Sequence, residues 1–174
     1  MEFVFETEYN QKGITDMAKA LRKTIRKKST KRSNILAVII IILTVLISIP
    51  TKGEPFSLKA NIVFTWIVTL LLIIVLVFQD KINAYIARKR MVKGSEKSVV
   101  TFKDEVYISD TEIGKTEFRY NNISVIAETK DYFVFIIDKI HAQLYDKNGI
   151  TNGTVDEFRK FIEEKTKLEI QKVK

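Results

Sequence analysis

The chain of 174 residues contains no cysteine, one histidine, two prolines and six glycines. Without cysteine it has no disulfide scaffold, no thiolate metal site and no cysteine nucleophile. A single histidine argues against a histidine-rich zinc site. Phosphate-binding glycine loops, nucleophile elbows and metal-binding helix motifs are also missing from the sequence. We therefore predict a protein that is not an enzyme and that holds no metal or other cofactor.

Positive charge is concentrated in the first half of the chain. Residues 1–94 contain sixteen Lys and Arg against six Asp and Glu, a balance of +10. Residues 95–174 contain thirteen against fifteen, a balance of −2. The net charge of +8 is therefore the sum of two unlike parts, and the basic part also contains the most apolar sequence.

Two long runs carry no charged residue: residues 35–49 and residues 60–78. They are rich in Ile, Leu, Val and Phe, each of which favours membrane insertion by roughly 0.3–0.6 kcal/mol. As a helix the second run spans about 28 Å, close to a bilayer core of about 30 Å, and the first, at about 22 Å, needs its flanks. We assign transmembrane helices to residues 33–51 and 60–80. The alternative is a buried helical hairpin in a soluble protein.

The eight residues between these helices, 52–59, form a short extracytoplasmic loop in this interpretation. Basic residues precede the first helix and follow the second, whereas the region between the two apolar runs carries only Lys52 and Lys59. Because loops rich in Lys and Arg stay in the cytoplasm, both chain termini are expected there. We predict a multi-pass protein of the bacterial inner (cell) membrane.

The basic flanks are predicted to be helices at the membrane surface. Residues 15–32 form an amphipathic helix with Thr15 as N-cap and Met17, Leu21 and Ile25 on its apolar face, and residues 81–94 form a helical extension. We expect this first helix to lie along the lipid, and these side chains to contact anionic headgroups: Arg22, Lys23, Arg26, Lys27, Lys28, Lys31, Arg32, Arg88, Lys89 and Arg90. The flanks contain one aromatic residue, Tyr85, and no series of aromatic residues for base stacking, so membrane lipid is the predicted partner and nucleic acid is not.

Trp66 lies well inside the second apolar run. Its indole N–H favours a polar partner, and Asn61, Thr65 and Thr69 are close in sequence. These four residues could mark a helix–helix contact or the face of a homo-oligomer. The alternative is a tilted helix with Trp66 near the outer headgroups.

After Gly94 the apolar pattern changes to short alternating runs separated by turn residues, which is typical of an antiparallel sheet. Six strands are predicted, beginning at Ser98, Val106, Thr116, Ile123, Tyr132 and Ile140. Thr154 and Glu157 fit a capping box that opens a final helix. The alternating residues 1–9 form an N-terminal strand that could join the sheet. The predicted fold class is a membrane α-helical hairpin plus an α+β cytoplasmic domain, residues 95–174.

Two possible chemical sites are interpreted as structural. Residues 146–157 have the oxygen spacing of a calcium loop, but Ile150 and Thr151 occupy positions that need a ligand and a glycine. His141 stands in a predicted strand without a nucleophile or paired carboxylate at motif spacing, so it is interpreted as structural or surface-exposed.

Residues Phe118–Phe133 and Gly153–Phe161, together with two closely spaced spans before a strand-rich tail, resemble the YcxB-like family of small bacterial membrane proteins. The resemblance implies that the tail is a pleckstrin-homology-like (PH-like) fold, a bent antiparallel sheet with one C-terminal helix. It implies no catalytic residues.

Two functions fit these predictions. In the first, the hairpin anchors a PH-like domain that binds an unidentified protein partner, or lipid, at the membrane surface without catalysis. In the second, the chain is a self-immunity protein that protects its producer from a membrane-active peptide or toxin. The acidic balance of residues 95–174 favours a protein partner over anionic lipid for the domain.

Overall fold

The structure is a computed structural model that describes residues 2–48 and 60–174. The predicted loop 52–59 and the end of the first predicted span, 49–51, lie outside the described residues. The elements in chain order are β1 Phe3–Glu8, α1 Gln11–Lys23, α2 Lys27–Ile47, α3 Ala60–Lys89, β2 Lys97–Phe102, β3 Val106–Thr111, β4 Gly114–Arg119, β5 Val125–Glu128, β6 Tyr132–Ile136, β7 Ala142–Asp146, β8 Ile150–Asn152, α4 Val155–Thr166 and β9 Ile170–Lys172.

The helices α2 and α3 are long and apolar enough to cross a membrane. Their apolar side chains are largely uncovered, and Leu36, Phe64 and Val77 are 60%, 68% and 67% exposed. The partly covered side chains of α2 recur every three or four residues, so they lie along one stripe of the helix. These are Thr30, Asn34, Ala37, Ile41 and Thr44. The hairpin therefore has one narrow internal contact and a broad apolar outer surface.

The strands form two sheets. The first has the order β4-β3-β2-β1-β8, and the second has the order β7-β6-β5-β9. The N-terminal strand β1 lies inside the first sheet, with Phe5 opposite Val100 in an antiparallel register. The strand-rich region and the final helix are confirmed. The sheet is not purely antiparallel, because β9 pairs with β5 in parallel.

The main core lies between the two sheets and α4 and is built from aromatic rings. Phe158 of α4 is fully buried, and its ring centroid lies 4.6 Å from that of Phe5 and 4.8 Å from that of Phe102. Both contacts are edge-to-face, the geometry that aromatic pairs favour. The capping box is confirmed: the Thr154 hydroxyl accepts a bond from the Glu157 N–H, and the Glu157 carboxylate accepts one from the Thr154 N–H. A well-capped helix thus presents Phe158 to both sheets.

A second core cluster lies on the other face of β6, and α1 covers it. Ala20 and Leu21 of α1 are buried against a cluster that includes Val134 and Leu144. Met17 and Ile25 pack at its margin. The expectation that this apolar face lies in lipid is therefore wrong. Every residue of β6 is buried, so its outer face needs an apolar cover, and α1 supplies it.

The predicted helix 15–32 is two helices. Helix α1 begins at Gln11 because Asn10, not Thr15, is the N-cap and accepts a bond of 2.8 Å from the Gly13 N–H. The Thr15 hydroxyl instead donates to the Gln11 carbonyl. The chain turns at residues 24–26, and α2 begins at Lys27. Residues 27–32 are thus the first turns of the long apolar helix.

Other predicted boundaries also shift. Helix α3 continues only to Lys89, five residues short of the predicted end of the extension. The last predicted strand begins at Ala142 rather than Ile140, because the Asp138 carboxylate accepts bonds from the Ile140 and His141 N–H groups and closes a turn. The strands β8 and β9 were not predicted.

Candidate functional site

The domain is fixed to the hairpin through α1. Arg22 near its end donates two bonds, of 2.6 and 2.7 Å, to the Asp80 carboxylate on α3. The bond to Asp80 raises the pKa of the Arg22 guanidinium. At the start of α1, the Lys12 ammonium lies 2.6 Å from the carboxylate of Asp131, a residue of the turn between β5 and β6. Helix α1 therefore contacts both the apolar hairpin and the second sheet.

A basic cleft lies beside this junction, and we call it the junction cleft. Its volume is about 930 Å³, within the range of small-molecule sites. The start of α2 and the C-terminal strand face each other across it. It is lined by Arg22, Lys23, Thr24, Lys27, Thr30, Lys31, Asn34, Ile35, Val38, Ile39, Gln171, Lys172, Val173 and Lys174.

The junction cleft is lined by six basic side chains and by no Asp or Glu side chain among the described residues. Two of the six are occupied: Arg22 pairs with Asp80, and the Lys23 ammonium donates to the Lys174 backbone oxygen. No Asp or Glu side chain of the part of the chain that the structure describes pairs with the remaining four, Lys27, Lys31, Lys172 and Lys174. The cleft therefore has the electrostatics of an anion site.

One wall of the junction cleft changes from cationic to apolar along a single helix. Lys27 and Lys31 are one turn apart on α2, and Ile35 follows one turn later. Val38 and Ile39 continue the same wall. All three apolar side chains are nearly half exposed.

The other predicted lipid-contacting residues lie elsewhere. Arg26 donates a bond of 2.6 Å to the Lys139 carbonyl, which holds the turn after α1 against the second sheet. Lys28 and Arg32 lie on α2 but do not line the junction cleft. The remaining three lie at the end of α3 or just after it: Arg88, Lys89 and Arg90. The structure thus brings four of the ten together: Arg22, Lys23, Lys27 and Lys31.

The predicted helix–helix contact is only partly assembled. Thr69 is 3% exposed, and its hydroxyl donates to the Thr65 carbonyl at 2.9 Å. Trp66 is 46% exposed. The Asn61 side chain lies outside the described residues. Thr69 therefore faces the interior, whereas Trp66 lies on the outer surface of α3.

A second concave surface, which we call the acidic groove, has a volume of about 610 Å³. It lies where β1, β2 and β3 meet the turn after β7. Five carboxylates line it, from Glu6, Glu8, Asp110, Glu112 and Asp146, against the single basic residue Lys97. Asp110 pairs with Lys115 at 2.8 Å. The groove's charge is opposite to that of the junction cleft.

The two rejected chemical sites have structural roles. The His141 Nδ1 lies 2.8 Å from an Asp138 carboxylate oxygen on the surface. Bonds from the His141 ring and from two backbone N–H groups lower the pKa of Asp138 to about 2. Residues 146–157 contain a turn, β8 and the start of α4. Among the described residues no group of three His, Asp or Glu side chains could hold a metal ion.

Sequence reasoning missed two sets of residues that build the junction. Lys172 and Lys174 belong to the C-terminal strand and its end, whose alternation of apolar Leu168 and Ile170 with polar residues was a usable signal. Asp80 is the only acidic residue in residues 60–95. A lone carboxylate in so basic a flank predicts an ion pair but does not name its partner.

Fold and site together define a protein with two long apolar helices and a two-sheet domain fixed to them through α1. Residues 102–162 match the sequence model of the family described as YcxB-like protein. The resemblance predicted from the sequence is thereby confirmed over this segment, which runs from the end of β2 into α4. No curated protein and no solved structure matches the chain.

Proposed function

We propose that the chain is a two-span protein of the bacterial inner membrane that presents a PH-like domain to a protein partner in the cytoplasm, without catalysis. The exposed apolar surface of α2 and α3 supports insertion, since soluble proteins rarely leave so large an apolar area uncovered. The excess of Lys and Arg on both flanks supports cytoplasmic termini.

The PH-like assignment is supported by the arrangement of the domain. Consecutive antiparallel strands β2 to β7 form most of two sheets, and one C-terminal helix closes the space between them. Phe158 and Ile162 of that helix are fully buried in the joint core. A fold alone does not determine function, so the partner must be argued from a specific site.

The charge and shape of the acidic groove are the main support for a protein partner. Glu6, Glu8 and Glu112 have no cationic partner among the described residues and are exposed. Between them Val99 is 43% exposed, so the groove combines an apolar patch with a negative rim. An extended segment that carries Lys or Arg beside an apolar residue complements this surface.

In-cell photo-crosslinking tests this proposal. A photoreactive amino acid replaces Val99 in the full chain, and a control chain carries it at Glu164, an exposed residue of α4 outside the groove. We expect a discrete crosslinked protein from position 99 and none from position 164. The crosslink disappears when Glu6→Lys and Glu112→Lys together cancel the net negative charge of the groove.

The control is Glu117→Lys, a single substitution of the same kind on the exposed strand β4 outside the groove. It leaves the crosslink in place if the groove recognises its partner. A crosslink that survives the groove reversals, or no crosslink at position 99, contradicts the proposal.

A further inference from the structure

We propose that the junction cleft binds the phosphate headgroup of one anionic phospholipid, whose acyl chains run down α2. This inference rests on the proposed function only in that the hairpin must lie in a membrane. The ligand is defined by chemistry: a phosphodiester anion joined to a hydrocarbon chain. No protein partner of the acidic groove is involved.

The charge of the cleft selects an anion. Lys27, Lys31 and Lys172 are exposed to the cleft and lack Asp or Glu partners in the described part of the chain. They come from two elements, α2 and β9, that are far apart in sequence. Lysines from both sides therefore face one cleft, where an anion meets positive charge from two elements of the fold.

The apolar wall selects a lipid over a free anion. Ile35, Val38 and Ile39 begin one helical turn beyond Lys31, on the same wall of the cleft. The distance along a helix from Lys31 to Ile39 is about 12 Å at a rise of about 1.5 Å per residue. This order, with cations first and hydrocarbon afterwards, matches the order of groups in a phospholipid that lies along the helix.

Contacts within the fold also fix several residues that line the cleft. Arg22 at its edge is fixed by Asp80, and Lys23 is fixed by the Lys174 backbone oxygen. Val173 is 8% exposed and anchors the C-terminal strand in the second core cluster. Because these contacts do not use Lys27, Lys31 or Lys172, the three ammonium groups are available without any rearrangement of the protein.

Lipid retention by the purified full chain tests the proposal. The chain in a neutral detergent is titrated with phosphatidylglycerol, and native mass spectrometry counts the lipids that remain bound. We expect one retained phosphatidylglycerol and no retained phosphatidylcholine. Lys27→Gln with Lys31→Gln weakens the binding, by about fivefold for each charge removed.

The chain offers a matched control on the same helix. Lys28 and Arg32 follow Lys27 and Lys31 by one residue, so they lie at nearly the same depth but outside the cleft. Lys28→Gln with Arg32→Gln removes the same charge, and we expect it to leave lipid retention unchanged. Lys172→Gln provides an independent check from β9, with an expected loss of about fivefold.

Three outcomes overturn the proposal. In the first, no phosphatidylglycerol is retained. In the second, the control pair weakens retention as much as the cleft pair, which indicates a general surface charge effect. In the third, inorganic phosphate alone displaces the lipid, which indicates a free-phosphate site. None of these outcomes depends on the crosslinking at position 99, so failure of the lipid site and failure of the protein-partner proposal are distinguishable.

Discussion

Arg22 and Asp80 are 58 residues apart in sequence, and the guanidinium of one donates to both carboxylate oxygens of the other. Their side chains are 25% and 17% exposed. This bidentate pair joins α1, which belongs to the domain, to α3, which belongs to the hairpin. It is therefore one of the contacts that fix the domain on the apolar helices, and it lies at the edge of the junction cleft.

Breaking this pair is expected to destabilise the domain on the hairpin. Asp80→Asn leaves a partly buried guanidinium without its anion, at a cost of about 2 kcal/mol in the free energy of unfolding. Thermal unfolding of the purified chain in detergent measures it. The exposed Lys28→Gln is the control and is expected to leave the unfolding temperature unchanged. A double-mutant cycle with Arg22→Gln that shows no coupling energy contradicts the account.

Glu128 is the centre of a second ion-pair group, which ties β5 to α4. It is 7% exposed and accepts bonds from Lys147 at 2.6 Å and from Arg159 at 2.7 Å. Glu128→Gln removes the charge that both cations face, so we expect a loss of about 3 kcal/mol in the free energy of unfolding. Glu164→Gln, on the exposed face of α4, is the control. An equal effect of both substitutions argues against the role assigned to Glu128.

The ion pairs of Glu128 also predict how the free energy of unfolding depends on pH. Burial raises the pKa of Glu128, but the bonds from Arg159 and Lys147 outweigh burial and hold the pKa below its ordinary value. A carboxylate with a lowered pKa contributes its full stability above its unfolded pKa, and loses it as the pH falls through the folded value. Acid unfolding of the unmodified chain should therefore show this loss, and the Glu128→Gln chain should lack that part of it. Identical acid profiles of the two chains contradict the assignment.

Gly149 lies in the turn after β7, where the chain packs closely against β1, and it lines the acidic groove. A Cβ atom at this position would lie 1.9 Å from the Glu6 carbonyl oxygen. Gly149→Ala must therefore displace backbone, and we expect it to cost about 2 kcal/mol in the free energy of unfolding. Asn148→Ala, at the exposed neighbouring residue, is the control. Unchanged stability of Gly149→Ala shows that the turn is not packed as described.

Local signals predicted much of the domain. Alternation located β2, β3 and β6 to within a few residues, and the residue types at Thr154 and Glu157 predicted the start of α4. These features depend on neighbouring residues, so the sequence contains the information directly. The same holds for the two apolar helices, whose length and composition are sufficient to recognise them.

Features that depend on distant partners could not be predicted in the same way. The apolar stripe of Met17, Leu21 and Ile25 fits lipid and protein equally well, and only the uncovered face of β6 decides for protein. The short strand β9 needs β5 beside it, and the pairing of Arg22 with Asp80 needs α1 beside α3. The junction cleft combines all of these contacts, so its basic residues were predicted individually while their assembly was not.

The central claim is that the hairpin crosses the membrane and holds the domain on its cytoplasmic side. Because the chain has no cysteine, a single introduced thiol can be labelled with a membrane-impermeant maleimide in intact cells. Ser57→Cys, between the two apolar runs, is expected to label in intact cells, whereas Ser109→Cys, in β3, is expected to label only after permeabilisation. Labelling of Ser109→Cys in intact cells, with Ser57→Cys protected until permeabilisation, would contradict the account.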